Sequence, residues 1–328
     1  MSTKKVAVLG AGSWGSALAI LLANNNQSVF LWDHNPAVLE EIKSSRTNER
    51  YLPGVRFPEL SLCMRPEEAL ESAEVVLLVI PSHAFEEVIQ KLQPLVQPSH
   101  KLLWATKGLE LKTGRFLHEV FEGVFDVERP YAVLSGPSFA REVAEGVPTA
   151  VALASKNLDF AEEVASCFAS QKFQIETTDD VVGLQLGGVF KNVLAVAVGL
   201  SDGLGFGANT RAALMTKGLA QMMTLGKSLG ARSETFMGLS GCGDTILTCT
   251  DNQSRNRRFG LALAEGLSEK EALERIGQVV EAVYNIEQLH RLAGEHQVEL
   301  PIVELMFRVM KQGVNPREAI GSLFYSTK

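Results

Sequence analysis

Two hydrophobic periodicities divide the 328-residue chain. Short apolar runs fall at 6–9, 28–32, 74–80, 101–105, 131–134 and 149–154, and Phe173 to Glu176 completes the series. Such runs predict strands buried on both faces. Helical spacing follows the first run at 17–23, the second from about residue 37, the third from Pro81-Ser82 to about residue 96, and the sixth from about residue 158. Strands alternating with helices predict a parallel sheet covered on both faces, with crossovers of one hand. Near Asp179 the pattern changes. Beyond it no convincing strand appears, and helices are predicted at 181–200, 210–230, 258–265, 269–275, 280–294 and 302–312. Ser268 and Glu271 form an S-x-x-E capping-box start for the fourth of these. The expected organisation is an α/β domain over 1–179 followed by an all-α domain over 180–328, without internal repeats.

The first strand turns at once into Gly10-x-Gly12-x-x-Gly15 and then a helix. Gly10 suits a tight turn, Gly12 a close backbone approach to a pyrophosphate, and Gly15 close helix–strand packing. The N–H groups opening that helix form an anion site. In this strand–turn–helix context the motif predicts dinucleotide binding on a Rossmann-type, doubly wound, mostly parallel sheet. Asp33 lies 18 residues after Gly15, near where an acidic residue meets the adenine ribose of NAD. His34 beside it could instead meet the 2′-phosphate of NADP. NAD and NADP both stay open.

Composition narrows the partners. A 46% apolar, 21% charged chain is an ordinary soluble globular protein. A net charge of −7 argues against nucleic acid or an acidic membrane surface, so any phosphorylated substrate needs locally concentrated positive charge. Residues 181–200 are long enough to span a bilayer. Lys191 near the centre and glycines at 183, 187, 188 and 199 favour instead a buried helix of a soluble domain, hence no membrane span. Cys63, Cys167, Cys242 and Cys249 form no CxxC pair, as expected of reduced thiols in a cytoplasmic protein. No metal is expected, since the histidines lack ligand spacing.

Ligands of an open parallel sheet gather at the carboxyl ends of its strands. Gly10 to Gly15, Asp33-His34, Pro81-Ser82-His83, Thr106-Lys107-Gly108 and Gly136-Pro137-Ser138 occupy those ends. In the second half Lys191 stands out, set in an apolar helix with Gly187, Gly188 and Ala195 on its face. These small neighbours are expected to leave room for a ligand. Desolvation would lower the lysine pKa towards values suited to proton transfer near neutrality. The alternative is a lysine that snorkels or pairs with a carboxylate. A second cluster runs from Gly238 to Asp244 and then from Thr248 to Arg258, where three arginines in four residues, Arg255, Arg257 and Arg258, flanked by Ser254 and Asn256, suit a dianionic phosphate.

Together these stretches resemble the bacterial NAD(P)-dependent glycerol-3-phosphate dehydrogenases. GAGSWG at 10–15, LWDHNP at 31–36, PSHAF at 81–85, WATKGLE at 104–110, SGPSFA at 135–140, LGGVFKN at 186–192, SDGLGFGANT at 201–210, GCGDTILTCTDNQSRNRRFG at 241–260 and GQVVE at 277–281 carry the resemblance. It implies reversible reduction of dihydroxyacetone phosphate to sn-glycerol 3-phosphate, the backbone of glycerophospholipids. By position it implies that Lys191 is the general acid/base, with Lys107 and Asp244 beside it. Gly136, Ser138, Ser254, Arg255 and Asn256 would hold the substrate, the last two at its phosphate. Ser13, Trp14, His34, Lys107, Ala140, Arg255, Val279 and Glu281 would contact the cofactor. Asp33 stands where many relatives carry a small or neutral residue, and an acid there disfavours a 2′-phosphate. A homodimer is expected from the commonness of such assemblies. Two other readings compete: a related two-domain dehydrogenase of another small hydroxy or sugar acid, and a non-catalytic dinucleotide sensor. The first leaves the basic cluster 254–258 without a purpose, the second Lys107, Lys191 and Asp244.

Overall fold

The computed structural model describes residues 3–324. The chain divides into two compact units, one made of Met1–Thr106 and Leu117–Val181, the other of Lys107–Phe116 and Val182–Lys328. The segment 107–116 therefore departs from the linear reading, which put it in the first domain because strands flank it. Leu109 and Phe116 pair across an antiparallel bridge, and both are buried in the core of the second unit. Burial of its own apolar side chains decides where the segment belongs.

The first unit holds ten strands: β1 (Lys5–Leu9), β2 (Ser28–Trp32), β3 (Thr47–Asn48), β4 (Leu52–Arg56), β5 (Ser61–Cys63), β6 (Val75–Leu78), β7 (Lys101–Trp104), β8 (Tyr131–Ser135), β9 (Thr149–Ala154) and β10 (Phe173–Thr178). Eight of them form one sheet in the order β10-β9-β8-β7-β6-β1-β2-β5, and β3 and β4 make a separate hairpin. From β5 through β8 every pairing is parallel, with β1 at the centre of the reversal of strand order. That reversal is where doubly wound sheets bind their ligands.

The sheet is not parallel throughout. β8 and β9 pair antiparallel, with Val133 opposite Ala154 and Ser135 opposite Ala152. The connection contains only the five-residue Ala140–Ala144 helix, about 8 Å long at 1.5 Å per residue. A parallel return needs a helix that retraces the strand, about 16 Å here. The chain turns back instead, and β10 then pairs parallel with β9. Strands β3, β4 and β5 were not expected, because runs of two to five residues with exposed positions carry too little periodicity.

The second unit is built on the Val181–Gly203 helix. By length and composition it could cross a membrane, yet 94% of its most apolar stretch is buried inside the structure. Val189, Phe190, Val193, Leu194 and Val196 sit in one core with Leu214, Met222, Phe259, Ile286 and Met306. These come from the Gly207–Ser228, Arg255–Ala264, Ala282–Glu295 and Pro301–Gln312 helices. A helix apolar on every side is stable only with neighbours all round, and these supply them. The Ser268–Glu271 capping box forms as the sequence predicts. Three short helices, Ser233–Met237, Asp244–Thr250 and Pro316–Ser322, were not anticipated.

Candidate functional site

In the first unit the glycine loop lies between β1 and the Ser13–Asn24 helix. Gly10 has φ +114°, and a Cβ there would overlap the Val79 carbonyl; one on Gly15 would overlap the Gly10 carbonyl. Two glycines are thus required by the protein's own backbone. Gly12 is different, because nothing lies within 4 Å of where its Cβ would be. That open approach at a helix start suits a dinucleotide pyrophosphate resting against the backbone.

The loop is clamped at Ala11. Its N–H donates to Asp33 Oδ2 at 2.6 Å, and its carbonyl accepts from the buried Asn48 Nδ2 at 2.8 Å. Asp33 Oδ1 accepts from Asn35 N at 2.8 Å, so both carboxylate oxygens are turned onto the main chain. His34, 87% exposed, lies 3.2 Å from Asp33. Asp33 therefore acts first on the shape of the loop. Asn48, on the unforeseen β3, is a loop-holding residue that sequence reasoning missed. Gly136 and Ser138 follow β8, with Ser138 Oγ donating to the Gly136 carbonyl at 3.1 Å, and Ala140 opens the next helix.

The second unit brings together Lys107, Lys191 and Asp244. Asp244 is 1% exposed and accepts from Lys107 Nζ at 2.8 Å and from Lys191 Nζ at 2.5 Å. Lys191 also donates to Thr248 Oγ1 at 2.9 Å. Thr248 stands one helical turn after Asp244 on the same face of Asp244–Thr250. That spacing was legible in the sequence but was not used. Asp244 occupies the first turn of this helix, where the macrodipole favours an anion.

A turn of π-helix, Leu239–Gly243, delivers Asp244 to the lysine. A Cβ on Gly187 would overlap the Ser240 carbonyl of that turn. The space beside Lys191 expected for a ligand is therefore filled, at Gly187, by protein backbone. The glycine lets the two elements meet closely enough for the ion pair.

Burial fixes the electrostatics. Desolvation lowers the Lys191 pKa to about 8; Asp244 opposes this, and Lys107 reinforces it. Desolvation alone would raise Asp244, but the two ammonium groups outweigh it and hold the carboxyl below its ordinary range. With all three ionised the cluster carries one net positive charge. An ammonium has three N–H donors. Asp244 and Thr248 engage two of those on Lys191.

Ser254 caps the Arg255–Ala264 helix, accepting from Arg257 N at 3.2 Å. Asn256, buried in the first turn, donates to Asn192 Oδ1 at 2.8 Å and accepts from Ala282 N at 3.3 Å. The Arg255 guanidinium has its pKa lowered by burial, while Glu281 offsets part of the loss. The three arginines do not act alike. Arg257 is buried and committed to Asp202, Asn252 and the Cys249 carbonyl, and Arg258 is exposed. Arg257 is thereby withdrawn from any anion, whereas Arg255 stands beside Ser254 and Asn256 at the helix start. Val279, half-buried, stands two residues before Glu281. Cys249, its thiol pushed up to about 12 by burial, is no nucleophile. Among the described residues no cluster of His, Cys, Asp or Glu could hold a metal ion.

Two family models match the chain: NAD-dependent glycerol-3-phosphate dehydrogenase N-terminus over residues 5–161, and NAD-dependent glycerol-3-phosphate dehydrogenase C-terminus over residues 180–321. The chain belongs to this family. Among glycerol-3-phosphate dehydrogenases [NAD(P)+], that of Aeromonas salmonicida is 50% identical over 325 residues, 98% of this chain and 97% of the relative. That of Pasteurella multocida is 47% identical, covering 98% and 96%. The solved glycerol-3-phosphate dehydrogenase of Coxiella burnetii superposes with a TM-score of 0.95 at 45% identity, covering 98% of this chain and 99% of that one. The glycerol-3-phosphate dehydrogenase family thus accounts for both the mostly parallel sheet and the helical second half.

Two outcomes follow from the loop geometry. Gly12→Val should weaken NADH binding by at least about tenfold with little change in Tm, whereas Gly15→Val should lower Tm itself. Fluorescence titration and thermal melting separate them, and an unchanged NADH Kd for Gly12→Val would remove the pyrophosphate role. Asp33→Asn should raise the Kd for NADH and NADPH in parallel, because it loosens the loop both would use. A selective gain for NADPH would instead make Asp33 a discriminator against the 2′-phosphate.

Proposed function

We propose that this chain catalyses the NAD(P)-linked interconversion of dihydroxyacetone phosphate and sn-glycerol 3-phosphate, supplying the glycerol backbone of phospholipids. The observation that carries the reading is the buried Lys107–Asp244–Lys191 cluster, set in the same unit as Ser254, Arg255 and Asn256. Ketone reduction puts negative charge on oxygen and then needs a proton there. Lys191 is the group to give it. Asp244 and Thr248 fix its orientation, and Lys107 adds a second positive charge that stabilises the developing alkoxide. Arg255 and Asn256 suit the phosphate at the other end of a three-carbon substrate. The loop Gly10 to Gly15 suits the cofactor, whose nicotinamide carries the hydride when bound. Ser13, Trp14, His34, Ala140, Val279 and Glu281 are proposed as its further contacts, and Gly136 and Ser138 as substrate contacts.

A homodimer is proposed on the general frequency of two-fold assemblies. Four free cysteines, three of them buried, support a cytoplasmic setting.

Direction sets the sign of the pH dependence. Reduction requires Lys191 protonated, so its kcat should fall as pH rises through about 8. Oxidation requires the neutral amine, so its kcat should rise through the same region. Lys191→Met should lower kcat by about 10²–10⁴-fold and abolish that limb, with the NADH Kd kept within about twofold. Steady-state rates from pH 6 to 10 with both substrates decide this. Turnover of dihydroxyacetone phosphate surviving in Lys191→Met would remove the assigned role.

A further inference from the structure

Lys107 owes its place on Asp244 to a segment with an unusual architecture. Residues 107–116 leave the first unit directly after Thr106 and return to it at Leu117. The loop is tied within itself by Glu110, whose buried carboxylate accepts from Lys112 N at 2.8 Å, Thr113 N at 2.6 Å and Thr113 Oγ1 at 2.5 Å. Glu110 N donates to the Arg115 carbonyl at 2.9 Å, and Leu109 pairs with Phe116. The result is a compact hairpin with Lys107 at its root.

That hairpin is held from outside by one helix. Gln288 Nε2 donates to the Leu111 carbonyl at 2.9 Å, and Arg291 Nη1 donates to the Lys112 carbonyl at 3.0 Å. The two side chains are three residues apart on Ala282–Glu295, hence on one face. Arg291 also presses on Gly114, where a Cβ would overlap its guanidinium. Both residues carry a cost. Gln288 is 4% exposed with Oε1 buried and unpartnered, and Arg291 Nη2 is likewise buried without a partner. An apolar side chain at Gln288 would serve the core better, because an unmet buried acceptor is destabilising. What the glutamine supplies in return is a fixed Leu111 carbonyl.

We propose that Gln288 and Arg291 are positioning residues for Lys107, gripping the 107–116 hairpin so that its ammonium stays on Asp244 beside Lys191. The inference rests on the assignment of Lys191 as the proton-transfer group. Its consequence is electrostatic. Lys107 is a like charge near Lys191 and makes the second ammonium easier to deprotonate. When the hairpin loosens, Asp244 serves Lys191 alone, and the Lys191 pKa rises.

The test compares wild type with Gln288→Leu, Arg291→Met and the double variant, using Lys107→Met as the reference for a lost neighbour. The pH limb of kcat for reduction is followed together with an isotope-edited NMR titration of the Lys191 amine, assigned with Lys191→Met, which needs no turnover. The apparent pKa should move up by about half a unit or more, towards that of Lys107→Met, with kcat down about tenfold and the NADH Kd within about twofold. Arg291→Lys, which keeps a donor, should recover most of the effect. Gln288→Leu keeps the buried volume apolar and decides the matter if the double variant does not fold. A Lys191 pKa at the wild-type value in folded Gln288→Leu and Arg291→Met overturns the proposal, whatever happens to kcat. If wild type itself fails to reduce dihydroxyacetone phosphate, the functional assignment falls, and the NMR titration still reports whether the hairpin sets the Lys191 pKa.

Discussion

A carboxylate buried between two ammonium groups constrains the second unit more than any other contact. Asp244 has almost no access to water, so its ionised form is held by the ammonium groups of Lys107 and Lys191 that reach it. Lys191, inside an otherwise apolar helix, would be equally unfavourable without Asp244. Each charge is tolerable because the others are placed. The three come from separate parts of the chain: a hairpin, the central helix, and a short helix entered through a π-turn. The close packing of Gly187 against Ser240 and the cap at Ser254 bring backbone where this arrangement needs it. The lowered Lys191 pKa is the chemical product of that packing.

The glycine loop of the first unit obeys a similar economy with weaker forces. A single residue, Ala11, is held on its N–H by Asp33 and on its carbonyl by Asn48. Both carboxylate oxygens of Asp33 are taken up by N–H donors of the main chain. The loop is thereby shaped before any ligand arrives, so a dinucleotide need not bring the backbone into order. Gly12 alone has open space in front of it, and the pyrophosphate reading rests there.

Much of this was legible in the sequence because it depends on local rules. Every strand with four or more consecutive apolar residues was located, and so was the capping box at Ser268, since periodicity and capping act within a few residues. Lys191 was conspicuous as a charge in an apolar helix. What escaped depends on contacts distant in sequence. Nothing within 107–116 announces that Leu109 and Phe116 are buried with the second unit rather than with the strands flanking them. The reversal of β9 follows from the shortness of one helix, and the withdrawal of Arg257 from phosphate binding follows from Asp202, 55 residues away. Thr248 was within reach, being one turn from Asp244, whereas Asn48 required the hairpin of β3 and β4 to be seen first.

The hairpin also bears on how the chemistry is apportioned. Lys107, Lys191, Asp244 and Thr248 all belong to one compact unit, although Lys107 is encoded among the strands of the other. The distances that set the Lys191 pKa are therefore internal to that unit. Had Lys107 folded with β7, the spacing of the two lysines would have depended on the arrangement of two separate bodies, and a shift of 1 Å changes a buried charge pair by kilocalories. Carrying the residue out of the first unit and tying it down with Glu110, Gln288 and Arg291 removes that dependence. Lys191 is then tuned within the unit that also contains Arg255 and Asn256, while the glycine loop is shaped within the other.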